Sequence, residues 1–146
     1  MSVADQGQTT KTPGGDQPRL AVGVDLVSVD EVQQALEHFG DRYLSRVFTG
    51  HEVACASGEG EVRARHLAAR FAAKEATMKA LGPSDRLPTW HSIEVRQDEN
   101  GRCTLRLRGH AAELARRARL SEFAVSLCHE GKLAAAVVLA LGRSDP

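Results

Sequence analysis

An excess of positive charge is missing from this chain, which has 19 Lys and Arg against 19 Asp and Glu. Proteins that bind nucleic acids or anionic membranes through bulk charge carry such an excess, so neither class is expected. Cysteine is also scarce. Cys55, Cys103 and Cys128 are odd in number and widely separated, which favours reduced cytosolic thiols over a disulfide framework or a metal site.

Long apolar segments are missing as well. No apolar stretch follows the first residue, so no signal peptide is predicted. The longest apolar run, residues 133–141, is far shorter than the roughly 20 residues that cross a bilayer as a helix, and fits a buried strand. The sequence therefore predicts a cytoplasmic protein without a membrane or nucleic-acid partner.

The chain divides into a polar tail and one domain. Residues 1–18 are rich in Gln, Thr, Gly, Asp and Pro, which predicts a disordered tail followed by a single domain over residues 19–146. Strands are predicted at residues 20–27, 91–97, 103–108, 123–128 and 133–141. Helices are predicted at 29–39, 61–81 and 110–120, with two short ones beginning near Asp41 and Thr49.

Local signals fix the ends and connections of these elements. Ser28 with Glu31, and Thr49 with Glu52, form capping-box patterns that begin helices. Asn100-Gly101 is a strong hairpin signal. Because most strands meet through tight turns, the predicted fold class is α+β: a small antiparallel sheet packed against one long helix and several short ones.

Asp25 is unusual because it lies inside an apolar strand pattern. A buried carboxylate is costly unless it is paired. Two partners are equally compatible with the sequence: the N-terminus of a nearby helix, or a Mg²⁺ ion shared with Glu75. Gly23, two residues earlier, fits a bulge or the close approach of another backbone or a ligand.

Charged residues of the long helix have two interpretations. Glu75 and Lys79 are an i,i+4 pair, which on a solvent-exposed face contributes only about 0.3–0.5 kcal/mol. Arg70 and Lys74 have the same spacing but like charge, which is unfavourable without an anion nearby. Polyphosphate binding would explain both pairs, because an acid can hold Mg²⁺ while bases hold the remaining phosphate oxygens. His129, at a predicted hairpin end, is either a solvent-exposed histidine or a phosphate ligand or proton-transfer group.

Together these segments resemble the 4′-phosphopantetheinyl transferases of the small holo-acyl-carrier-protein synthase type. Residues 23–27 (GVDLV) resemble the family's first motif, and residues 70–76 with Lys79 (RFAAKEA and K) resemble its K-E-x-x-x-K motif. Residues 90–95 and the hairpin 125–138 resemble two further segments. Each match alone is weak, but their order and spacing are specific.

The resemblance implies an activity and roles for site residues. The enzyme would move 4′-phosphopantetheine from coenzyme A to a serine of an apo acyl carrier protein and release adenosine 3′,5′-bisphosphate. The implied roles are Mg²⁺ binding for Asp25 and Glu75, pyrophosphate binding for Lys79, coenzyme A phosphate contacts for Arg70 and Lys74, and a phosphate contact or serine deprotonation for His129.

The resemblance also implies partners. It predicts a homotrimer in which His129 reaches the Asp25 and Glu75 of a neighbouring subunit. The predicted carrier is of the fatty-acid or polyketide type, and peptide-synthesis carriers remain open. In the family the first helix usually presents Arg or Lys to an acidic carrier, but here that helix has neither. The carrier is therefore predicted to dock on Arg42 and Arg46, or to be less acidic at this position. The alternatives are a hot-dog acyl-CoA thioesterase and a non-catalytic coenzyme A binding module.

Overall fold

Residues 19–82 and 84–142 are described by the computed structural model, and the predicted tail, residues 1–18, lies outside them. Their elements are, in chain order, β1 (Arg19–Ser28), α1 (Val29–Phe39), α2 (Asp41–Val47), α3 (Gly50–Cys55), α4 (Gly60–Leu81), a 3₁₀ turn (Trp90–Ser92), β2 (Ile93–Gln97), β3 (Cys103–Leu107), α5 (Gly109–Arg117), β4 (Glu122–Glu130) and β5 (Leu133–Gly142). The capping boxes begin helices as predicted: Ser28 Oγ accepts from Glu31 N, and Thr49 and Glu52 cap each other.

The strands are all antiparallel, but they divide between two sheets. One has the order β1-β5-β4, and the other pairs β2 with β3. The strand predicted to begin at residue 91 begins at Ile93 instead, because Ser92 donates from both its backbone N–H and its hydroxyl to the carbonyl of Thr89. This local turn holds residues 90–92 out of the ladder. The predicted α+β class is confirmed.

Helix α4 packs across one face of β1 and β5, and Gly23 permits the contact. A Cβ at Gly23 would lie 1.8 Å from the carbonyl oxygen of Ala76 and 3.0 Å from the amide nitrogen of Ala80. The structure therefore decides between the two roles predicted for Gly23: it allows a close helix–strand approach. The consequence is that Glu75 and Lys79 of the helix lie over the strand position of Asp25.

The opposite face of the β1-β5-β4 sheet is apolar and exposed. Its large members on β1 and β5 are Leu20, Val22, Val24, Leu26, Leu133, Val137 and Leu139, each more than 40% exposed. The strand register places Val22 opposite Leu139 and Val24 opposite Val137, so they form one continuous patch. Patches of this kind mark interaction surfaces. Among the described residues no helix is long and apolar enough to cross a membrane.

Candidate active site

Asp25 is held in the helix–sheet interface with one oxygen paired and one unpaired. Its side chain is 1% exposed, and Lys79 Nζ lies 3.0 Å from its Oδ1. The same ammonium donates to the carbonyl of Val24 at 3.1 Å. Oδ2 of Asp25 is buried without a hydrogen-bond partner. A buried carboxylate oxygen without a partner is rare and marks a place where an ion or water is expected.

Glu75 shares this site with Asp25. Burial raises the pKa of Glu75 to about 8, and its hydrogen bond with Asp25 and the negative charge of Asp25 act in the same direction, against the opposing charge of Lys79. The negative charge of Glu75 also contributes, after burial, to raising the pKa of Tyr43 in α2 to about 12. Each of two carboxylates that converge in this way disfavours the ionisation of the other, and a bound cation would offset that repulsion.

The donor set fits Mg²⁺. This ion is typically bound by one or two carboxylates, with waters and substrate phosphates completing its octahedron. Asp25 and Glu75 supply two carboxylates, and the unpartnered Oδ2 supplies an available oxygen. Over residues 19–82 and 84–142 there is no group of three or more His, Cys, Asp or Glu side chains placed to hold a metal, so a closed all-protein cage is not formed there.

Lys74, which was predicted to contact a coenzyme A phosphate, is buried inside the protein. Its side chain has no solvent exposure, and its Nζ lies 2.7 Å from Glu52 Oε1. It also donates to the carbonyls of Trp90 and Ile93, at 2.9 and 2.5 Å. An ammonium has three donors, and these three acceptors use them all. This geometry counts against the predicted contact between Lys74 and a coenzyme A phosphate.

Glu52 is the residue that sequence reasoning missed at this position. It is fully buried; its Oε1 accepts from the amide of Thr49 and its Oε2 from the amide of Val95, both at 2.9 Å. The capping-box pattern predicted the contact with Thr49 but gave no sign of the ion pair with Lys74. The unfavourable like-charge spacing of Arg70 and Lys74 was a signal that a buried acid had to lie nearby.

Arg70 and His129 line one cavity. It is bounded by Arg70, His66, His129, Cys55, Cys103 and Gln97, among others. Two nitrogens of the buried Arg70 donate to the carbonyl of His66 at 3.1 Å and to Gln97 Oε1 at 2.8 Å. Its Nε is buried without a partner. The cavity therefore holds a permanent positive charge.

His129 and the carboxylate pair lie apart within the chain. The ring of His129 is 6.1 Å from that of His66, measured between centroids. His66 and Glu75 are nine residues apart on α4, which is roughly 13 Å along a helix axis. The structure thus brings Asp25, Glu75 and Lys79 together and places His129 and Arg70 at a second position.

Arg42 and Arg46 are exposed on α2. The same helix carries Tyr43, whose pKa is raised by burial and in part by the charge of Glu75. Helix α1 is acidic on its exposed surface, with Asp30, Glu31 and Glu37. The exposed basic residues Arg42 and Arg46 therefore lie on α2, the helix near Glu75, and not on the acidic helix α1.

Comparison with known proteins identifies the family to which this fold and its paired carboxylates belong. A family model described as the 4′-phosphopantetheinyl transferase superfamily matches residues 21–138, and the chain belongs to this superfamily. Within it, the chain is similar to the holo-[acyl-carrier-protein] synthase of Chloroflexus aurantiacus, with 45% identity over 130 residues that cover 81% of this chain and 95% of the relative. The family predicted from the sequence motifs is confirmed.

Two solved structures share the fold. An ACPS–CoA complex from Chronobacterium ammoniagenes superposes with a TM-score of 0.73 at 34% identity, covering 86% of this chain and 98% of that one. The acyl carrier protein synthase of Mycobacterium tuberculosis superposes with a TM-score of 0.63 at 38% identity, covering 85% of this chain and 97% of that one.

Proposed function

We propose that this protein is a holo-[acyl-carrier-protein] synthase. It transfers the 4′-phosphopantetheine group of coenzyme A to a serine of an apo acyl carrier protein and releases adenosine 3′,5′-bisphosphate. The observation that carries the proposal is the convergence of Asp25 and Glu75 beneath Lys79 in a chain of this superfamily that is 45% identical to such a synthase. The match to this superfamily leaves the hot-dog thioesterase without support.

Asp25 and Glu75 hold Mg²⁺ in this proposal, and the bound ion neutralises charge on the pyrophosphate of coenzyme A. Lys79 is partly exposed and supplies a positive charge to the same pyrophosphate. The pairing of Lys79 with Asp25 keeps both groups in place before substrates arrive.

Arg70 and His129 contact phosphate oxygens of coenzyme A in the cavity that they both line. The buried, permanently charged guanidinium favours an anion there, because charge pairs are stronger away from water. His129 acts either as a further phosphate ligand or as the group that deprotonates the carrier serine. Lys74 is left out of the phosphate contacts because its donors are used inside the protein.

A shared active site between subunits reconciles the two positions. The exposed apolar face of β1 and β5 is a surface that assembly would bury. Within one chain, His129 on β4 lies beside His66, which is roughly 13 Å along the axis of α4 from Glu75. In a homotrimer, His129 of one subunit would face the carboxylate pair of the next. A cytoplasmic location is part of the same proposal and rests on the sequence alone.

Mixing Asp25→Ala and His129→Ala subunits is expected to restore activity that neither variant has alone. In randomly mixed cyclic trimers, about a quarter of the shared sites combine an intact Asp25 with an intact His129. The measurement is the rate of carrier-protein modification after subunit exchange, with exchange verified by native mass spectrometry. No recovery despite verified exchange would refute the shared site.

Docking of the acidic carrier depends on Arg42 and Arg46 in this proposal. The double charge reversal Arg42→Glu/Arg46→Glu is expected to raise the KM for the carrier by about ten-fold or more and to weaken its dependence on salt. Arg102→Glu/Arg106→Glu, at exposed positions just before and within β3, changes the net charge equally and serves as the control. An unchanged KM in the first variant, or an equal change in both, would contradict docking on α2.

The central experiment is mass spectrometry of an apo carrier protein incubated with this protein, coenzyme A and Mg²⁺. The expected product is heavier by one phosphopantetheine group, and EDTA is expected to prevent its formation. Retention of coenzyme A with no mass gain on any of several carriers would indicate a binding module, and release of free thiol from acyl-CoA would indicate a thioesterase. Either result would overturn the proposal.

A further inference from the structure

Cys55 and His51 form a thiol–imidazole pair on α3 that the transfer reaction does not use. Cys55 Sγ lies 3.4 Å from His51 Nε2. The backbone amide of Gln97 donates to the same nitrogen at 3.3 Å. A ring nitrogen that receives a backbone N–H is the unprotonated one, so His51 Nε2 is an acceptor and the Cys55 thiol is the donor. This is the arrangement of a thiol and its base.

The thiol also faces a positively charged space. Cys55 is partly exposed and lines the cavity that Arg70 and His129 share. The guanidinium of Arg70 is buried and always charged. A neighbouring base and a nearby positive charge are the two features that distinguish reactive thiols from inert ones.

The other two cysteines lack this combination. Cys103 lines the same cavity; burial raises its pKa, and this outweighs the lowering by the charge of Arg70. Cys128 is exposed on β4 and borders the same cavity, but within residues 19–82 and 84–142 the thiol hydrogen-bonded to an imidazole is that of Cys55. All three thiols therefore border one cavity, and Cys55 differs from the other two by its hydrogen bond with an imidazole.

We propose that Cys55 is a modification site for small anionic disulfides, with His51 as its base. The thiol proton moves to His51 Nε2, and the Cys55 thiolate attacks one sulfur of the disulfide. A bond forms between that sulfur and Cys55 Sγ, the original sulfur–sulfur bond breaks, and the other half leaves as a thiolate that takes up the proton held by His51 Nε2. The product is a mixed disulfide plus one free thiol, and a reducing thiol reverses the reaction.

The modified Cys55 would occupy the cavity that the proposed function gives to coenzyme A phosphates. Modification is therefore expected to stop transfer until the disulfide is reduced. This loss of transfer rests on the proposed function, but the reactivity of Cys55 does not. A reactive Cys55 in a protein without transferase activity would therefore refute the proposed function and leave the modification site standing.

The test measures the rate of mixed-disulfide formation at each cysteine of the folded full-length protein, using glutathione disulfide and peptide mass spectrometry. Cys55 is expected to react about ten-fold or more faster than Cys128. His51→Gln is expected to lower the Cys55 rate by about ten-fold and leave the Cys128 rate unchanged. Glutamine keeps an acceptor for the Gln97 amide, and an unchanged melting temperature would show that the variant is folded.

A second comparison needs no variant. Cystamine is a cationic disulfide, and the rate at Cys55 relative to that of N-acetylcysteine amide, a neutral small thiol, is expected to be lower with cystamine than with glutathione disulfide, because Arg70 favours an anion. Equal rates at Cys55 and Cys128 with glutathione disulfide would overturn the proposal. A Cys55-to-Cys128 ratio unchanged by His51→Gln in a folded variant would overturn the role of His51. The same ratio of the Cys55 rate to the small-thiol rate with both reagents would overturn the preference for anions.

Discussion

Replacing Glu75 by Gln is expected to lower the rate of carrier-protein modification by about 100-fold or more. A metal ion contributes several kcal/mol to the stabilisation of charge in a transition state, and each 1.4 kcal/mol corresponds to ten-fold in rate. Glutamine keeps the size of the side chain but removes one of two carboxylates that face each other. Binding of Mg²⁺ or Mn²⁺ to the protein without substrates, measured by calorimetry, is expected to weaken in parallel.

Glu61→Gln is the matched control, because Glu61 lies on the same helix and its carboxylate pairs with Arg65 and Lys132 at the surface. This variant is expected to retain transfer and metal binding. Full activity and unchanged metal affinity in Glu75→Gln would exclude Glu75 as a metal ligand.

Glu75→Gln is also expected to change how the stability of the protein depends on pH. The pKa of Glu75 is raised to about 8 in the folded protein from about 4.5 when unfolded. The folded state therefore holds a proton that the unfolded state releases, and the stability of the metal-free wild type falls as pH rises from about 4.5 to 8. Glu75→Gln lacks this group, so its melting temperature is expected to decline less over that range. Parallel melting curves would contradict the raised pKa.

Replacing Lys74 by Met is expected to lower the free energy of unfolding by about 3–5 kcal/mol, because it leaves the carboxylate of Glu52 buried without its counter-ion. For a domain of this size the melting temperature is expected to fall by about 10–20 °C. The double variant Glu52→Gln/Lys74→Met removes both charges, so it is expected to be more stable than Lys74→Met alone.

Lys132→Met is the control for this prediction. Lys132 pairs with Asp30 and Glu61 at 3.1 and 3.2 Å, but its side chain is 59% exposed, and exposed pairs contribute only about 0–1 kcal/mol. A Lys74→Met protein that melts like the wild type but has lost affinity for coenzyme A would return Lys74 to its predicted phosphate role. Thermal unfolding and coenzyme A binding together distinguish the two outcomes.

Local rules explain why much of the fold was predictable. The capping residues Ser28 and Thr49 accept hydrogen bonds from residues three positions later, so the pattern that begins each helix lies within four residues. The hairpin at Gly101, where φ is +81°, depends on an equally short segment. The strand predicted from residue 91 started late for the same reason, because the Ser92 side chain offered a local alternative that hydrophobic pattern alone does not reveal.

The candidate site was predictable only in part, because the partners of its charged side chains are residues distant in the sequence. The family resemblance predicted that Asp25 and Glu75 lie together, while the spacing itself left Asp25 undecided. The pairing of Asp25 with Lys79, 54 positions apart, was not predicted. The pairing of Lys74 with Glu52 was not anticipated, since it requires α3, α4 and β2 to meet around one ammonium.

The sequence by itself determined the family, the class of fold and the identity of the acids that face each other, because short motifs in a fixed order specify these. The tertiary structure alone decided which charged groups remain available. Arg70, Lys74 and Lys79 belong to one helical motif, yet Lys74 is buried with all its donors used, Arg70 lines a cavity and Lys79 neutralises Asp25. The physical reason is that the cost of burying a charge, and the partner that offsets it, are set by neighbours distant in sequence.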